Sequence, residues 1–378
     1  MRKAALGVIV TVFALTAVSL GAESKANEFY NQQAKPLSVK WPDVLKREAA
    51  WYGSDEAQRI ADNVLLYQRD TGGWPKNIDM ASVLSSDAKA MLLKQKAEID
   101  STIDNGATYT QLKYLARVYG AHADDRYKQA FINGVEYLLK AQYRNGGWPQ
   151  SFPLHRGYYT HITYNDDAMV GVLELLRDIA KKKASYAFVD NAMRRRAAAA
   201  VERGIECILK TQVVVDGKLT VWCAQHDEVT FKPAAARAFE PVSLSGLESV
   251  GIVRFLMKIE NPGPRIIDAI ESAVAWFQKT KINGFRWQET PTRDGFDREL
   301  IRDANSGPLW ARFYEIGTNR PIFAGRDSVI HYDVSQIEAE RRNGYRWYTD
   351  EPAKLLKVDY GIWRAKLNTP VDLTKPGT

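Results

Sequence analysis

Apolar residues in this chain recur at helical spacing in segments that each run into a Gln, a glycine-containing turn and a tryptophan. Phe131, Val135, Leu138 and Leu139 share one helical face ahead of Gln142. Glycine beyond the last turn ends such a helix, and a proline two residues later keeps it from resuming. The same order appears in LYQRDTGGWP (66–75), LLKAQYRNGGWP (138–149), ILKTQVVVDGKLTVW (208–222) and WFQKTKINGFRW (276–287). The glutamines are Gln68, Gln142, Gln212 and Gln278. The tryptophans are Trp74, Trp148, Trp222 and Trp287, spaced 74, 74 and 65 residues apart. A second apolar helical stripe comes after the turn in the first three units: Leu112, Leu115 and Val118; Met169, Val172, Leu173 and Leu176; Leu244, Leu247, Val250 and Val253. Val, Ile and Thr show no sustained alternation, which argues against a large sheet. Helical hairpins repeating at this period predict an all-α fold, an α/α toroid or incomplete α/α barrel.

The first residues have a different pattern. Arg2 and Lys3 precede an uncharged apolar run from Ala4 to Leu20, then Gly21 and Ala22. That layout predicts a signal peptide over 1–22, cleaved after Ala22, with 23–378 as one domain. The alternative is an uncleaved membrane anchor, for which the run is barely long enough, since a span takes about 20 apolar residues. No later stretch reads as a span, so the exported chain is expected in the periplasm or outside the cell, without stable membrane association. The formal charge of +7 falls to +5 when Arg2 and Lys3 leave. A mildly basic exported protein suits an acidic polysaccharide better than nucleic acid. Cys207 and Cys223 can pair outside the cytosol, and spacing alone does not decide between a bridge and two buried thiols.

Polar groups recur where the inward helices should begin. Asp104-Asn105 comes after the first turn, Asn165-Asp166-Asp167 after the second, Lys232 to Glu240 with Arg237 after the third, and Arg312 to Glu315, then Arg326, after the fourth. Taken singly, an Asp at a helix start is an ordinary cap and an Arg near a turn an ordinary surface charge. Ser245 and Glu248 have capping-box spacing. His226 reads as a structural hydrogen-bonding residue, while His161 is placed along the cleft. Carboxylates from two units and arginines from two others, all on one predicted face, favour a shared site.

GGWPKN (72–77), STIDNGAT (101–108), NGGWPQ (145–150), TYNDDAM (163–169), VWCAQHDEVTFKPAAARAFEP (221–241) and RFYEIGTNRPIFAGRD (312–327) together resemble the pectate lyases of polysaccharide lyase family 10. The likeness runs from about Tyr52 to Trp347. It implies a Ca²⁺ ion held by Asp104, Asn105 and Asp166 together with the substrate's own carboxylate. It implies Arg237 as catalytic base and Arg312 and Arg326 as grips for uronate carboxylates; Lys232, read from the residues alone, is either a substrate contact or a solvated charge. The substrate would be polygalacturonate, the products 4,5-unsaturated oligogalacturonides, and the working form a monomer.

These residue types suit β-elimination. The C5 proton of a galacturonate lies α to a carboxylate, and a hard cation with oxygen ligands stabilises the charge that develops there. Arginine recognises planar carboxylates through paired N–H donors. As a base it is awkward, because its pKa lies above about 12. An alkaline optimum is therefore expected, with Arg237 either taking the proton or stabilising the enolate while hydroxide takes it. Three other readings compete. A helical glycoside hydrolase would use Asp104 and Asp166 as acid and base. A triterpene cyclase would share the Gln, Gly and Trp repeat but need an Asp-rich initiator in a deep apolar cavity. A catalytically dead polyanion-binding protein would bind without turnover.

Overall fold

The computed structural model describes residues 39–293 and 295–367. The expected signal peptide over 1–22 lies outside them. Eight longer helices carry the framework: α1 (Asp55–Tyr67), α2 (Ser86–Lys94), α3 (Tyr109–Ala121), α4 (Asp125–Ala141), α5 (Ala168–Ala180), α6 (Asn191–Thr211), α7 (Glu248–Met257) and α8 (Pro264–Lys279). Their starts are set by side chains that satisfy free amides. Ser54, Asp124 and Asp190 accept from Ala57, Arg126 and Met193 N–H at 3.2, 2.8 and 2.8 Å, and Pro264 opens α8. The pairs α3–α4, α5–α6 and α7–α8 pack as hairpins. Helix α3 also packs on α5 and α5 on α7, while α4 packs on α6 and α6 on α8, giving an inner and an outer row.

The repeated Gln and Trp hold these hairpins in register. Gln68, Gln142 and Gln212 each sit just past an outer helix, and each amide donates twice. Gln68 reaches Gly72 O and Ala130 O, both at 2.8 Å; Gln142 reaches Gly146 O and Ala200 O at 3.0 and 2.9 Å; Gln212 reaches Thr220 O and Ala269 O at 2.8 and 2.9 Å. One acceptor lies in its own turn and the other on the next outer helix, so the residue stitches one unit to the next. The buried tryptophans donate their indole N–H back to the helix that precedes them: Trp74 to Val64 O, Trp148 to Leu138 O and Trp222 to Ile208 O, each at 2.8 Å. Gly146, at φ +95°, makes the turn possible, because a Cβ there would stand 2.0 Å from Arg203 O.

The expectation of an all-α toroid is corrected by short strands between these helices and a longer hairpin after them. Helix makes up about 50% and strand 13% of the structure. Six two-stranded antiparallel ladders are present among the described residues, five of two residues per strand and one long hairpin, Phe285–Thr292 with Gly295–Arg302. The fourth unit departs from the other three. Trp287 lies half-buried in that hairpin, and Trp310 takes the fourth structural position, donating to Phe277 O at 2.9 Å. Gln278 is exposed, since no further outer helix comes next for it to bind. Arg312 sits between short strands at Trp310–Ala311 and Phe313–Tyr314 rather than at a helix start. The inner helix of this unit comes later, in the helical run from Glu351 to Leu367 after Thr349 pairs with Trp310.

Among the described residues no helix is long and apolar enough to cross a membrane. Cys207 and Cys223 are both buried and unbridged, and burial pushes the Cys207 thiol up to about 12.

Candidate active site

The tryptophan that closes each turn also places the polar residues behind it. Its carbonyl accepts from the strand leading to the next inner helix: Trp74 O from Thr102 N at 3.1 Å, Trp148 O from Thr163 N at 3.1 Å and Trp222 O from Ser245 N at 2.7 Å. Two residues beyond the first two of these bonds lie Asp104 and Asn165. Each opens a single 3-10 turn, Asp104–Gly106 or Asn165–Asp167, whose second residue is left-handed: Asn105 at φ 49° and Asp166 at φ 50°. Asn and Asp tolerate this region better than other non-glycine residues, and such outliers gather at functional sites. The structural counterpart of Asp104 is thus Asn165, and that of Asn105 is Asp166. In both turns the first residue is buried and the second exposed.

The two turns pack on each other, and the Tyr109 phenol senses Asp167, Asp166 and Asp104 together. Burial and those charges push its pKa well up. Asp104 accepts from Lys76 Nζ and, at 2.7 Å, from Gln150 Nε2. Asn105 donates to Asn77 Oδ1 at 2.8 Å. Asp166 accepts from Asn165 Nδ2 at 2.7 Å and from Arg312 Nη2 at 3.1 Å. Asp167, Asp166, Glu248 and Tyr109 line a cavity of about 440 Å³ between α3, α5 and α7; a second, of about 370 Å³, is lined by Lys76, Asn77 and Asn105. Asp167 faces the first cavity, where loss of water, then Glu248 and Glu174, push it up to about 6.

Each arginine singled out from the sequence has a carboxylate partner. Arg237 is held by Glu240, at 2.8 Å through Nε and 2.5 Å through Nη2, with its guanidinium over the Phe239 ring. The hydrogen-bonded Glu240 pushes the Arg237 pKa further above its ordinary value despite partial burial. Arg312 is 3% exposed. It donates to Glu248 Oε1, to Asn165 Oδ1 at 3.0 Å and to Asp166, and lies 4.4 Å from the Tyr345 ring centroid. Its Nε is buried without a hydrogen-bond partner. Arg312, expected to grip uronates, is held here by Glu248, Asn165 and Asp166. Arg326 is exposed and pairs with Glu340 at 3.0 Å. Lys232 is exposed and makes no ion pair among the described residues.

One chain of contacts joins the acidic and basic groups. Asp166 meets Arg312, Arg312 lies against Tyr345, the Tyr345 hydroxyl donates to Glu240 Oε1 at 2.7 Å, and Glu240 holds Arg237. Arg326 connects through Glu340 to Arg341, whose guanidinium shares the Phe239 ring with Arg237. Asp166 and Arg237 thus lie within one connected cluster. Sequence reasoning assigned no individual site role to Asn165, Glu240, Glu248, Tyr345, Lys76 or Gln150. Asn165 was accessible by laying the Asp-Asn-Gly and Asn-Asp-Asp turns over each other; Tyr345 carried no local signal.

The capping box is half realised. Ser245 Oγ accepts from Glu248 N at 3.0 Å, but the Glu248 side chain turns to Ser245 Oγ and Arg312. His226 is buried and structural in its contacts, accepting from Cys223 N at 3.1 Å and meeting Phe231 O at 2.9 Å. His161 lies 3.1 Å from Glu228. Those two and Asp227 make the one group of three His, Cys, Asp or Glu side chains close enough to share an ion among the described residues. Asp227 already serves the backbone and hydroxyl of Thr230 at 2.7 and 2.8 Å.

A family model described as pectic acid lyase matches residues 68–356. Two solved structures of a family 10 polysaccharide lyase from Cellvibrio cellulosa are similar to the chain at 33% identity. One is an aspartate-to-alanine mutant in complex with trigalacturonic acid, with a TM-score of 0.73, covering 91% of this chain and 99% of its own. The other has a TM-score of 0.72, covering 91% and 98%. No curated protein matches.

Proposed function

The chain belongs to the pectic acid lyase family, family 10 of the polysaccharide lyases, and from that premise we propose that it is exported and cleaves polygalacturonate by calcium-dependent β-elimination, releasing 4,5-unsaturated oligogalacturonides. The observation that carries this reading is the unbroken contact chain from Asp166 through Arg312, Tyr345 and Glu240 to Arg237. The trigalacturonic acid held by the similar Cellvibrio enzyme supports the substrate class.

The donor set fits a hard cation. Asp104, Asn105 and Asp166 offer oxygens from two adjoining turns, and both carboxylates already attract positive side chains, Lys76 and Arg312. These three residues would hold calcium. Bound there, the ion would supply positive charge to the uronate carboxylate as C5 loses its proton. Arg326 and Lys232 would hold neighbouring uronates, and Arg312 keeps Asp166 aimed.

In the reaction the C5 proton passes to a base at Arg237. The C5–H electron pair becomes the second bond of C4=C5, and the C4–O pair leaves with the glycosidic oxygen, which takes a proton from water. Glu240 keeps Arg237 charged at rest, so either the guanidinium first gives a proton to solvent or hydroxide abstracts beside it. Both routes make the rate rise with pH.

An ultraviolet assay on polygalacturonate tests the reading. Absorbance of an unsaturated uronide should grow with added calcium, climb toward alkaline pH and stop with a chelator. Activity that survives chelation removes calcium from the reaction. Chain cleavage without the chromophore means hydrolysis and sinks the elimination itself.

A further inference from the structure

We propose that Glu240 is the positioning residue for Arg237 and that Tyr345 ties this clamp to the arginine bracing Asp166. The inference rests on the role given to Arg237 above.

A free arginine side chain gives up rotamer entropy when it is held in one geometry. Here the geometry is set in advance. Glu240 Oε2 accepts both Arg237 N–H, at 3.1 Å, and Nε–H, at 2.8 Å, while Oε1 accepts Nη2–H at 2.5 Å. Two parallel bonds fix the guanidinium plane as well as its distance. The loop beneath is closed by Ala236 N to Glu240 O at 3.0 Å and Glu240 N to Arg237 O at 2.7 Å. Phe239 supports the guanidinium at 4.8 Å and Tyr345 at 5.8 Å. With Nε and one Nη2 hydrogen committed, Nη1 and the second Nη2 hydrogen are left for substrate.

Glu240 is itself held. It is 6% exposed, and its Oε1 also accepts the Tyr345 hydroxyl at 2.7 Å. The face of the same Tyr345 ring receives Arg312 at 4.4 Å. One half-buried tyrosine therefore sets the spacing between Arg237 and the group that aims Asp166. A shift of about 1 Å between reacting groups can lower a rate 100-fold, so a shared support has a direct kinetic meaning. Glu240, Tyr345 and Tyr158 act most strongly on Arg237, and Arg341 shares the Phe239 ring with it. Glu240 is the only carboxylate among them.

The experiment measures kcat and KM against pH on polygalacturonate at saturating calcium for Glu240→Gln, Glu240→Asp and Tyr345→Phe, with Arg237→Ala as reference. Glu240→Gln should lower kcat by about 100-fold with KM changed less than about 3-fold, and should move the acid limb of the profile to lower pH. Glu240→Asp keeps the charge but withdraws it, so kcat should fall with the limb in place. Tyr345→Phe keeps the ring and removes only the hydroxyl bond; a loss of about 5-fold in kcat at unchanged KM is expected. If Arg237→Ala is inactive while Glu240→Gln or Tyr345→Phe matches the wild type, the positioning role is overturned and the function stands. If Arg237→Ala retains kcat, the role of Arg237 falls and this inference with it. Should Glu240→Gln fail to fold, Tyr345→Phe decides: unchanged kcat overturns the proposal.

Discussion

The acidic and basic sides of the cluster are built on different principles. Asp104, Asn105, Asn165 and Asp166 occupy equivalent places in two successive units, each two or three residues past a bond to the tryptophan carbonyl of its turn. The repeat itself delivers them to one face. Arg237, Arg312 and Arg326 obey no repeat. They lie on the long connections ahead of the inner helices of the third and fourth units, and each is held by a carboxylate: Glu240, Glu248 and Glu340. Periodic backbone thus places the expected metal ligands, while side-chain pairs place the cations. Disturbing the second kind of contact should therefore matter most where the pair is buried.

Glu248 and Arg312 make the sharpest case, being 2% and 3% exposed. Glu248→Ala leaves a buried guanidinium with Asp166 and Asn165 as its remaining partners. Breaking a buried pair by removing one member destabilises by about 3–5 kcal/mol, and calorimetry should show a large fall in Tm. Arg326→Gln, which breaks an exposed pair and leaves Glu340 on Arg341, should leave Tm unchanged, because solvated pairs contribute little. Equal unfolding temperatures for Glu248→Ala and the wild type would erase the distinction between the two arginines.

The same contrast explains what the sequence made legible. Helical spacing, glycine turns and the Gln-Trp order identified three hairpins because each rests on local physics: a period, a stop and a cap. The fourth unit was misread because WFQKTKINGFRW imitates the motif up to Trp287, whereas Trp310 fills the position. The alternation in FRWQETPT and the Asp294-Gly295 pair were a hairpin signal that the helical reading overrode. Asp104 and Asp166 could be found from position in the repeat. Arg312 and Arg326 rested on family likeness, and Glu240, Glu248 and Tyr345 are joined to them only by contacts distant in sequence or hidden in an apparent cap. Burial of Arg312 had no sequence signature, since its partners come from three separate segments.

The seam between the two sides carries a pH-sensitive contact. Ile162 pairs with His226, linking the strand that leads to Asp166 to the loop that leads to Arg237. Burial pushes His226 down to about 4 from an ordinary 6.5. The unfolded chain therefore binds a proton below pH 6.5 that the folded chain refuses, and stability is lost as pH falls from there toward 4. At pH 5 the loss amounts to about 2 kcal/mol. Between about pH 7 and 5 the wild type should lose unfolding free energy that His226→Gln does not lose. Parallel pH curves for the two proteins would remove His226 as the cause.

The smallest effect tests whether the repeat, as distinct from its sequence signature, holds the acidic side together. Gln68 and Gln278 occupy matching places in the motif, yet only Gln68 binds two backbone carbonyls, Gly72 O and Ala130 O at 2.8 Å each. Gln68 is buried and Gln278 exposed. Gln68→Ala leaves Gly72 O short of a donor and strips the second donor from Ala130 O, and a loss of about 1–2 kcal/mol in urea unfolding is expected. Gln278→Ala should stay within about 0.5 kcal/mol. If the two substitutions cost the same, the glutamine stitch contributes nothing to holding successive units together. The alignment of Asp104 with Asn165 would then have to come from the tryptophan bonds alone.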